Sequence, residues 1–597
     1  MPTLHDIFSE LKNEDLAYRL KLLGIRPRSS RKADLIDALK AALQNGRLKE
    51  IWASLEDLER ATAAEICYDP SLTYNPSLIK AKYGSLPIFC KLPKKERRTY
   101  YHWNSRYATR LNLILYPSRD SSGGRIIPSD LAEQLRRFVS EPSALRVPTL
   151  KAPLDEEGLA VRQTEHEALA EVFALLRLAD KGNLGISPKT GQISPAVCRN
   201  ITDCLIGGDF FPPDVAYRPN KMPYEQEIGP IKSIAWARLL KTANYFTLNG
   251  SKSKLTPSGI KALSQPPERA IRHLWNKWLT NTDYDEFRRI DAIKGQNRKG
   301  HMTAKPVRRD AILSALSECP SGKWIALDKF SDFMQGAGFE FEVTRDAWKL
   351  YLSEPQYGSL GYAGCGEWNI LQFRYILCVL FEYAATLGLI DVAYVHPRNG
   401  LKDYRDQWGA DDLEWLSRYD GFRSFRLTNL GAYCLGMTED FKPAMPTTSL
   451  KLTVLPSLRI RIRSGVLLPA EKLHLETWAE PEEPDTWKLD AEHALEAVER
   501  GQSAAEFAEF LSSRDDQALP DTVEAFLLNC ERNGKALKTC GEAALINCRD
   551  AETATLVCAQ KELHGHCHRC GETLLAVTTT QLPKFRKIAR SLGLGLV

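Results

Sequence analysis

Apolar residues recur at helical spacing at Phe373, Ile376, Leu377, Leu380, Tyr383, Ala384 and Leu387, which predicts a helix with one buried face. Gly388 stands where a left-handed residue would end that helix. Residues 389–394 then read as a strand, and a polar excursion leads to a second short strand at 425–427. Thr428 is placed to cap a following helix that carries Leu430, Tyr433, Cys434 and Leu435. A shorter copy lies upstream, with a helix at 234–240, a strand at 245–248 and a tight polar segment at 249–254. There Leu255-Thr256-Pro257-Ser258-Gly259 matches Leu427-Thr428-Asn429-Leu430-Gly431: a Leu-Thr pair, two residues, then Gly. Pro257 falls at a first-turn position that tolerates it. Both matches follow an apolar helix and a strand, so the pattern predicts a repeated module.

Helix, strand, polar wing, strand and helix is the order of a winged-helix unit. Residues 112–139, with a Ser/Gly-rich turn at 118–125, predict a third, degenerate unit. Before it, 16–43 reads as two short helices around a turn, and Pro142, Pro148 and Pro153 mark 140–157 as a linker. A helix at 269–278 places Ile271, Leu274, Trp275 and Trp278 on one face. Residues 288–309 are polar and contain Gly, which predicts a mobile connection. Toward the C-terminus, Leu458, Ile460 and Ile462 alternate with Arg459, Arg461 and Arg463, the pattern of a half-buried strand. Helices are expected at 491–499, 504–511, 522–533 and 581–592, and strands at 537–539, 543–548 and 574–578. The expected fold is multidomain: mainly α with small β-wings, the winged-helix repeats, plus a C-terminal α+β domain. The expected boundaries are 1–48, 49–150, 151–285, 286–445 and 446–597.

At 597 residues several domains are expected, and 43% hydrophobic with 26% charged residues is ordinary for a soluble chain. No apolar run is long enough to span a bilayer, and the N-terminus lacks a signal-sequence pattern. Fourteen scattered cysteines suit reduced core residues of an intracellular protein, here expected to be cytoplasmic and nucleoid-associated. A net charge of +5 does not by itself point to nucleic acid, so the clustering of cations decides.

Three clusters stand out. Arg26, Arg28, Arg31 and Lys32 surround a Gly24-Ile25 turn between the first two helices, where consecutive phosphates would meet a helix start. This turn, followed by Lys32-Ala33-Asp34-Leu35-Ile36, resembles the SAP motif, a helix-extended-helix DNA-binding module. The alternative is a helical hairpin with a solvated basic turn. Lys94, Lys95, Arg97 and Arg98 run into Tyr100, Tyr101, Trp103 and Tyr107, which suits a nucleic-acid strand or, equally, a core flanked by a solvated loop. Arg298, Lys299, Lys305, Arg308 and Arg309 lie in the 288–309 connection, a phosphate-contacting strap or a solvated linker.

Catalytic signatures are missing from the sequence. Ser321-Gly322-Lys323-Trp324 lacks the leading glycine and the trailing hydroxyl of a phosphate-binding loop, so no ATPase is expected on this chain. No nucleophile elbow, kinase signature or zinc-protease helix is found. Cys567 and Cys570 have the spacing of a zinc half-site that Cys558 and His564 would complete, with Cys548, His566 and His568 nearby. No second Cys-x-x-Cys accompanies them, so the expectation is no cofactor, with zinc the alternative.

The ordered set of 81–87, Leu255-Thr256-x-x-Gly259 followed by Trp275 and Trp278, Trp368 with its long helix, and Leu427-Thr428-x-x-Gly431 is similar to bacterial helicase-associated proteins. Residues 450–597 resemble the N-terminal domain of XPB-type repair helicases, through the start at 489–491, Gly501, Leu519-Pro520-Asp521, Leu574-Leu575-Ala576-Val577 and Leu582-Pro583-Lys584. The resemblance implies a non-catalytic DNA-binding adaptor that associates with a separate helicase or nuclease chain in DNA repair or phage defence. Duplex DNA is the expected ligand, with no membrane and no small-molecule substrate. The alternatives are a protein–protein scaffold without DNA contact, or a zinc-containing hydrolase.

Overall fold

The structure, a computed structural model, describes residues 1–44, 46–90, 109–118, 124–187, 190–212, 226–250, 252–297, 300–362, 368–443, 450–538 and 541–597. The chain divides into two units, Met1–Ser449 with Val466–His474, and Leu450–Gly465 with Leu475–Val597. Both mix helices with small sheets, and every sheet pairing among the described residues is antiparallel.

The first unit opens with helices α1 (Leu4–Glu10), α2 (Asn13–Leu22), α3 (Lys32–Gln44), α4 (Arg47–Ala53), α5 (Asp57–Tyr68) and α6 (Pro76–Tyr83). The hairpin β1 (Tyr116–Pro117) and β2 (Arg125–Ile126) and helix α7 (Ser129–Arg136) follow. Leu16 and Leu20 of α2, Leu35 and Leu39 of α3, Ile66 of α5 and Leu131 of α7 share one hydrophobic cluster. The segments expected as 1–48 and 49–150 therefore share a core. Arg19 stitches them together: buried on α2, its Nε donates to the Asn112 carbonyl at 3.3 Å.

A larger core follows, built from β3 (Ala160–Arg162), α8 (Thr164–Asp180), α9 (Pro195–Thr202), α10 (Lys232–Thr242), the hairpin β4 (Phe246–Asn249) and β5 (Lys252–Leu255), α11 (Pro257–Leu263) and α12 (Pro267–Thr280). On α12, Ile271, Leu274, Trp275 and Trp278 are buried together, as their spacing predicts. Next come α13 (Lys305–Ser317), β6 (Trp324–Ala326) and α14 (Leu327–Gly336). A continuous helical run has an α-helical centre, α15 (Phe373–Cys378), between π-type turns at Trp368–Gln372 and Val379–Ala384. It leads to β7 (Ile390–Tyr394), β8 (Phe422–Leu427) and α16 (Asn429–Cys434), and the sheet order is β3-β7-β8-β6.

The helical run differs from its one-faced expectation, because every residue from 373 to 395 is buried. Its polar residues are accepted inside because distant segments supply counter-charges. Arg374 is held by Asp403 and Asp420 from the polar excursion, and Glu382 by Arg289. The excursion thus folds back over the helix.

The two Leu-Thr-x-x-Gly segments have one geometry. In each, the preceding helix ends on a left-handed residue, Asn244 (φ 55°) or Gly388 (φ 74°). The next amide closes the end: Tyr245 N donates to Leu240 O at 3.0 Å, and Leu389 N to Ala384 O at 2.9 Å. Thr256 and Thr428 each cap the following helix through the amide of Gly259 or Gly431. Each threonine hydroxyl also donates back to the left-handed residue's carbonyl, at 2.6 Å and 2.7 Å. A Cβ on Gly259 would lie 2.1 Å from the Tyr245 carbonyl oxygen, and one on Gly431 2.1 Å from that of Leu389. Only glycine lets this helix start sit on the strand entry.

In the second unit, β9 (Lys451–Val454) and β10 (Arg459–Ser464) pair. Helix α17 (Pro469–Trp478), whose residues up to His474 are assigned to the first unit, leads into β11 (Ala479–Glu483) and β12 (Thr486–Leu489), giving the order β11-β12-β10-β9. Ile460 is buried while Arg459 and Arg463 pair with Glu482 and Asp516, but Leu458 takes a left-handed turn position (φ 63°) outside the strand. Helices α18 (Ala491–Glu499), α19 (Ala504–Ser512) and α20 (Asp521–Asn533) follow the expected spans within a residue. Residues 537 and 538 are not in a strand, and 539 lies outside the described residues. A three-stranded sheet, β13 (Ala543–Asn547), β15 (Leu574–Thr578) and β14 (Cys567–Arg569) in spatial order, packs with α21 (Ala551–Cys558) and α22 (Leu582–Ser591). The stretch between β13 and β15 contains both α21 and β14. No helix among the described residues is long and apolar enough to cross a membrane.

Candidate nucleic-acid interface

The turn between α2 and α3 is fixed by its own backbone. Gly24 is left-handed (φ 72°), Gly24 N donates to Lys21 O at 3.0 Å and Ile25 N to Leu20 O at 2.9 Å. Asn13 Nδ2 on α2 donates to the Ser30 carbonyl at 3.0 Å, and Ser29 Oγ accepts from Arg31 N at 3.0 Å. From this frame Arg26, Arg28 and Arg31 project exposed and Lys32 half-buried at the start of α3. None of the four forms an ion pair among the described residues. Rigid backbone with unneutralised guanidinium groups at a helix start is an arrangement that takes phosphate oxygens.

The other basic clusters fare differently. Lys94, Lys95, Arg97, Arg98, Arg298 and Lys299 lie outside the described residues. Lys305, the first residue of α13, donates to the Thr282 carbonyl. Arg308 and Arg309 are not surface cations: they are 0% and 1% exposed. Arg308 grips Asp285 with two hydrogen bonds of 3.0 and 2.9 Å. Arg309 donates to Glu286 at 2.6 Å and to the carbonyls of Trp278 and Asn281, with its guanidinium 4.7 Å from the Trp278 ring centroid. Burial works against the Arg309 charge, but Glu286 outweighs it and raises its pKa. The expectation of a phosphate-contacting strap is corrected at these two positions, because Asp285 and Glu286, 23 residues upstream of them, neutralise them. Nor is the 288–309 segment a polar connection throughout, since Arg289, Ile290, Ile293 and His301 are buried.

For the thiols, Cys558 Sγ lies 3.9 Å from Cys567 Sγ, while His564 and Cys570 are exposed. Burial, and then Cys558, push the Cys567 thiol up to about 12. Among the described residues no three His, Cys, Asp or Glu side chains come together closely enough to hold a metal ion. One buried carboxylate pair has the divergence of an acid–base couple: burial raises Glu171, whereas hydrogen bonds from Arg162 and Lys232 overcome burial at Glu167 and lower it. Lys232 joins both carboxylates at 2.6 Å and Trp236 Nε1 binds Glu171 at 3.0 Å, so the couple is locked inside the core.

Residues not anticipated from sequence form two exposed aromatic pairs. Trp348 and Tyr362 meet edge to face at 4.6 Å, Tyr357 and Trp408 lie tilted at 5.6 Å, and all four are more than half exposed. Gly361 permits this, as a Cβ there would lie 2.3 Å from the Trp348 ring. Acids outnumber cations along 340–362 and 403–414, which suits phosphate poorly. Isolated aromatics in a loop carry no periodicity, so only exposure reveals them. No family model matches this chain, and no curated protein matches it either.

Proposed function

We propose that this chain is a non-catalytic DNA-binding adaptor that grips duplex phosphates and works beside a separate helicase or nuclease. The observation that carries the proposal is the rigid α2–α3 turn, on which Arg26, Arg28 and Arg31 stand exposed, without an ion pair among the described residues. The winged-helix reading of the first unit is supported by the order α13, β6, α14, helical run, β7, β8, with β8 pairing to both β6 and β7. The helicase-associated and XPB-type resemblances belong to the same proposal and name the kind of partner. A duplex-binding assay at low salt tests it. Wild type should retain a labelled 20-base-pair duplex of arbitrary sequence and leave it intact; the variant R26Q/R28Q/R31Q/K32Q should bind much more weakly at unchanged fold. Absence of binding by wild type, or cleavage of the duplex without a partner, would overturn the proposal.

A second reading, a protein scaffold, is favoured by the exposed aromatic pairs Trp348–Tyr362 and Tyr357–Trp408, because aromatic side chains are enriched in protein interfaces. It predicts that wild type does not retain duplex DNA at low salt and that W348A/W408A abolishes association with a protein partner at unchanged fold.

A further inference from the structure

Helix α22 has two unlike faces. Phe585, Ile588 and Ala589 are buried in the core with Leu575 and Val577 of β15, and Leu582 and Leu592 pack against the same cluster. The remaining arc carries Lys584, Arg586, Lys587 and Arg590, all exposed. None of the four side chains forms an ion pair or hydrogen bond among the described residues. From residue 573 to 597 the chain contains no Asp or Glu.

Local stability does not explain this arrangement. Lys584 sits in the first turn, where the helix dipole disfavours a cation. Lys584 and Lys587 are three residues apart and Arg586 and Arg590 four, spacings at which like charges repel. Only Arg590, in the last turn, suits the dipole. An anionic partner would relieve this concentration of charge.

We infer that the outward face of α22 is a second phosphate-backbone contact, lying in the second unit and separate from the α2–α3 turn. The inference rests on the DNA-binding reading above and extends it to a surface in the other unit. A nucleic-acid backbone suits this face better than an acidic protein does. Protein interfaces need apolar or aromatic anchors, and the apolar residues of α22 are already committed to their own core. For the same reason the helix has no apolar face left to insert into a lipid surface. Four cations at the turn spacing of one helix require only phosphates.

The test compares full-length wild type with K584Q/R586Q/K587Q/R590Q and with the charge-retaining K584R/K587R, using a labelled 20-base-pair duplex across a salt series. The glutamine variant should lower the steepness of the log affinity against log salt plot by about 3 to 4, roughly one unit per lost phosphate contact. K584R/K587R should keep the wild-type slope. If wild type binds DNA and the glutamine variant shows the same affinity and slope, the inference is overturned while the turn remains as the contact. If wild type does not bind DNA at all, the adaptor reading fails and this inference with it. Binding of wild type to phosphatidylserine vesicles, lost in the glutamine variant while duplex affinity is unchanged, would also overturn it.

Discussion

Arg28 and Arg309 are both arginines of basic runs, and their surroundings give them opposite work. Arg309 sits between Glu286, four carbonyls and the Trp278 ring, so removing it strands a buried carboxylate. R309A should therefore destabilise the first unit by about 3–5 kcal/mol, read as a lower urea midpoint. Arg28 is exposed without an ion-pair partner among the described residues, so R28Q should leave the midpoint within about 0.5 kcal/mol of wild type. The same R28Q change should lower the salt slope of duplex binding by about 1. Loss of stability in R28Q, or none in R309A, would contradict these assignments. The sequence shows both arginines as members of charge clusters and distinguishes them poorly. The acids that neutralise Arg308 and Arg309 lie 23 residues upstream, and only the approach of α13 to that segment turns them into partners.

Thr428 and Gly431 form one device with the strand entry at Leu389, and its counterpart at Thr256 and Gly259 repeats it. G431A would press a methyl group onto the Leu389 carbonyl oxygen and the Leu427 side chain, and should cost about 1–3 kcal/mol of stability by overpacking. An unchanged unfolding midpoint would contradict the close approach. In the second unit, Lys451 and Arg463 converge on Asp516 and hold its carboxyl down to about 2. Because the folded value lies below the ordinary ~3.9, the stabilisation is full above that pH and fades as pH falls toward about 2. The difference in urea midpoint between wild type and D516N should accordingly be present at pH 7 and narrow between pH 4 and pH 2. It should also shrink in high salt, since the group is exposed. Long periodic helices and the Leu-Thr-x-x-Gly caps were legible because their signals are local. The three-residue strands β3, β6 and β14 were not, since so few residues show no alternation and gain meaning only from their pairing partners. The polar excursion read as a wing for a similar reason: Asp403 and Asp420 look solvated until Arg374 is known to be buried beneath them.

The two units and their separate cores account for the length of the chain, and the cations left unneutralised on their surfaces account for its proposed ligand. A net charge of only +5 is compatible with DNA binding because the total does not fix where cations stand: several arginines are paired with internal acids, as at Arg289, Arg308, Arg309 and Arg374, while those of the α2–α3 turn and α22 stand exposed. The α2–α3 turn could be anticipated because its cations follow one another beside a glycine turn, whereas the aromatic pairs emerge only when distant loops meet. The most direct measurement is the salt dependence of duplex affinity for wild type and for R26Q/R28Q/R31Q/K32Q under identical conditions. The account predicts a linear fall of log affinity with log salt for wild type and a slope shallower by about 3 to 4 in the variant. Equal slopes in the two proteins, or wild-type affinity insensitive to salt, would contradict it.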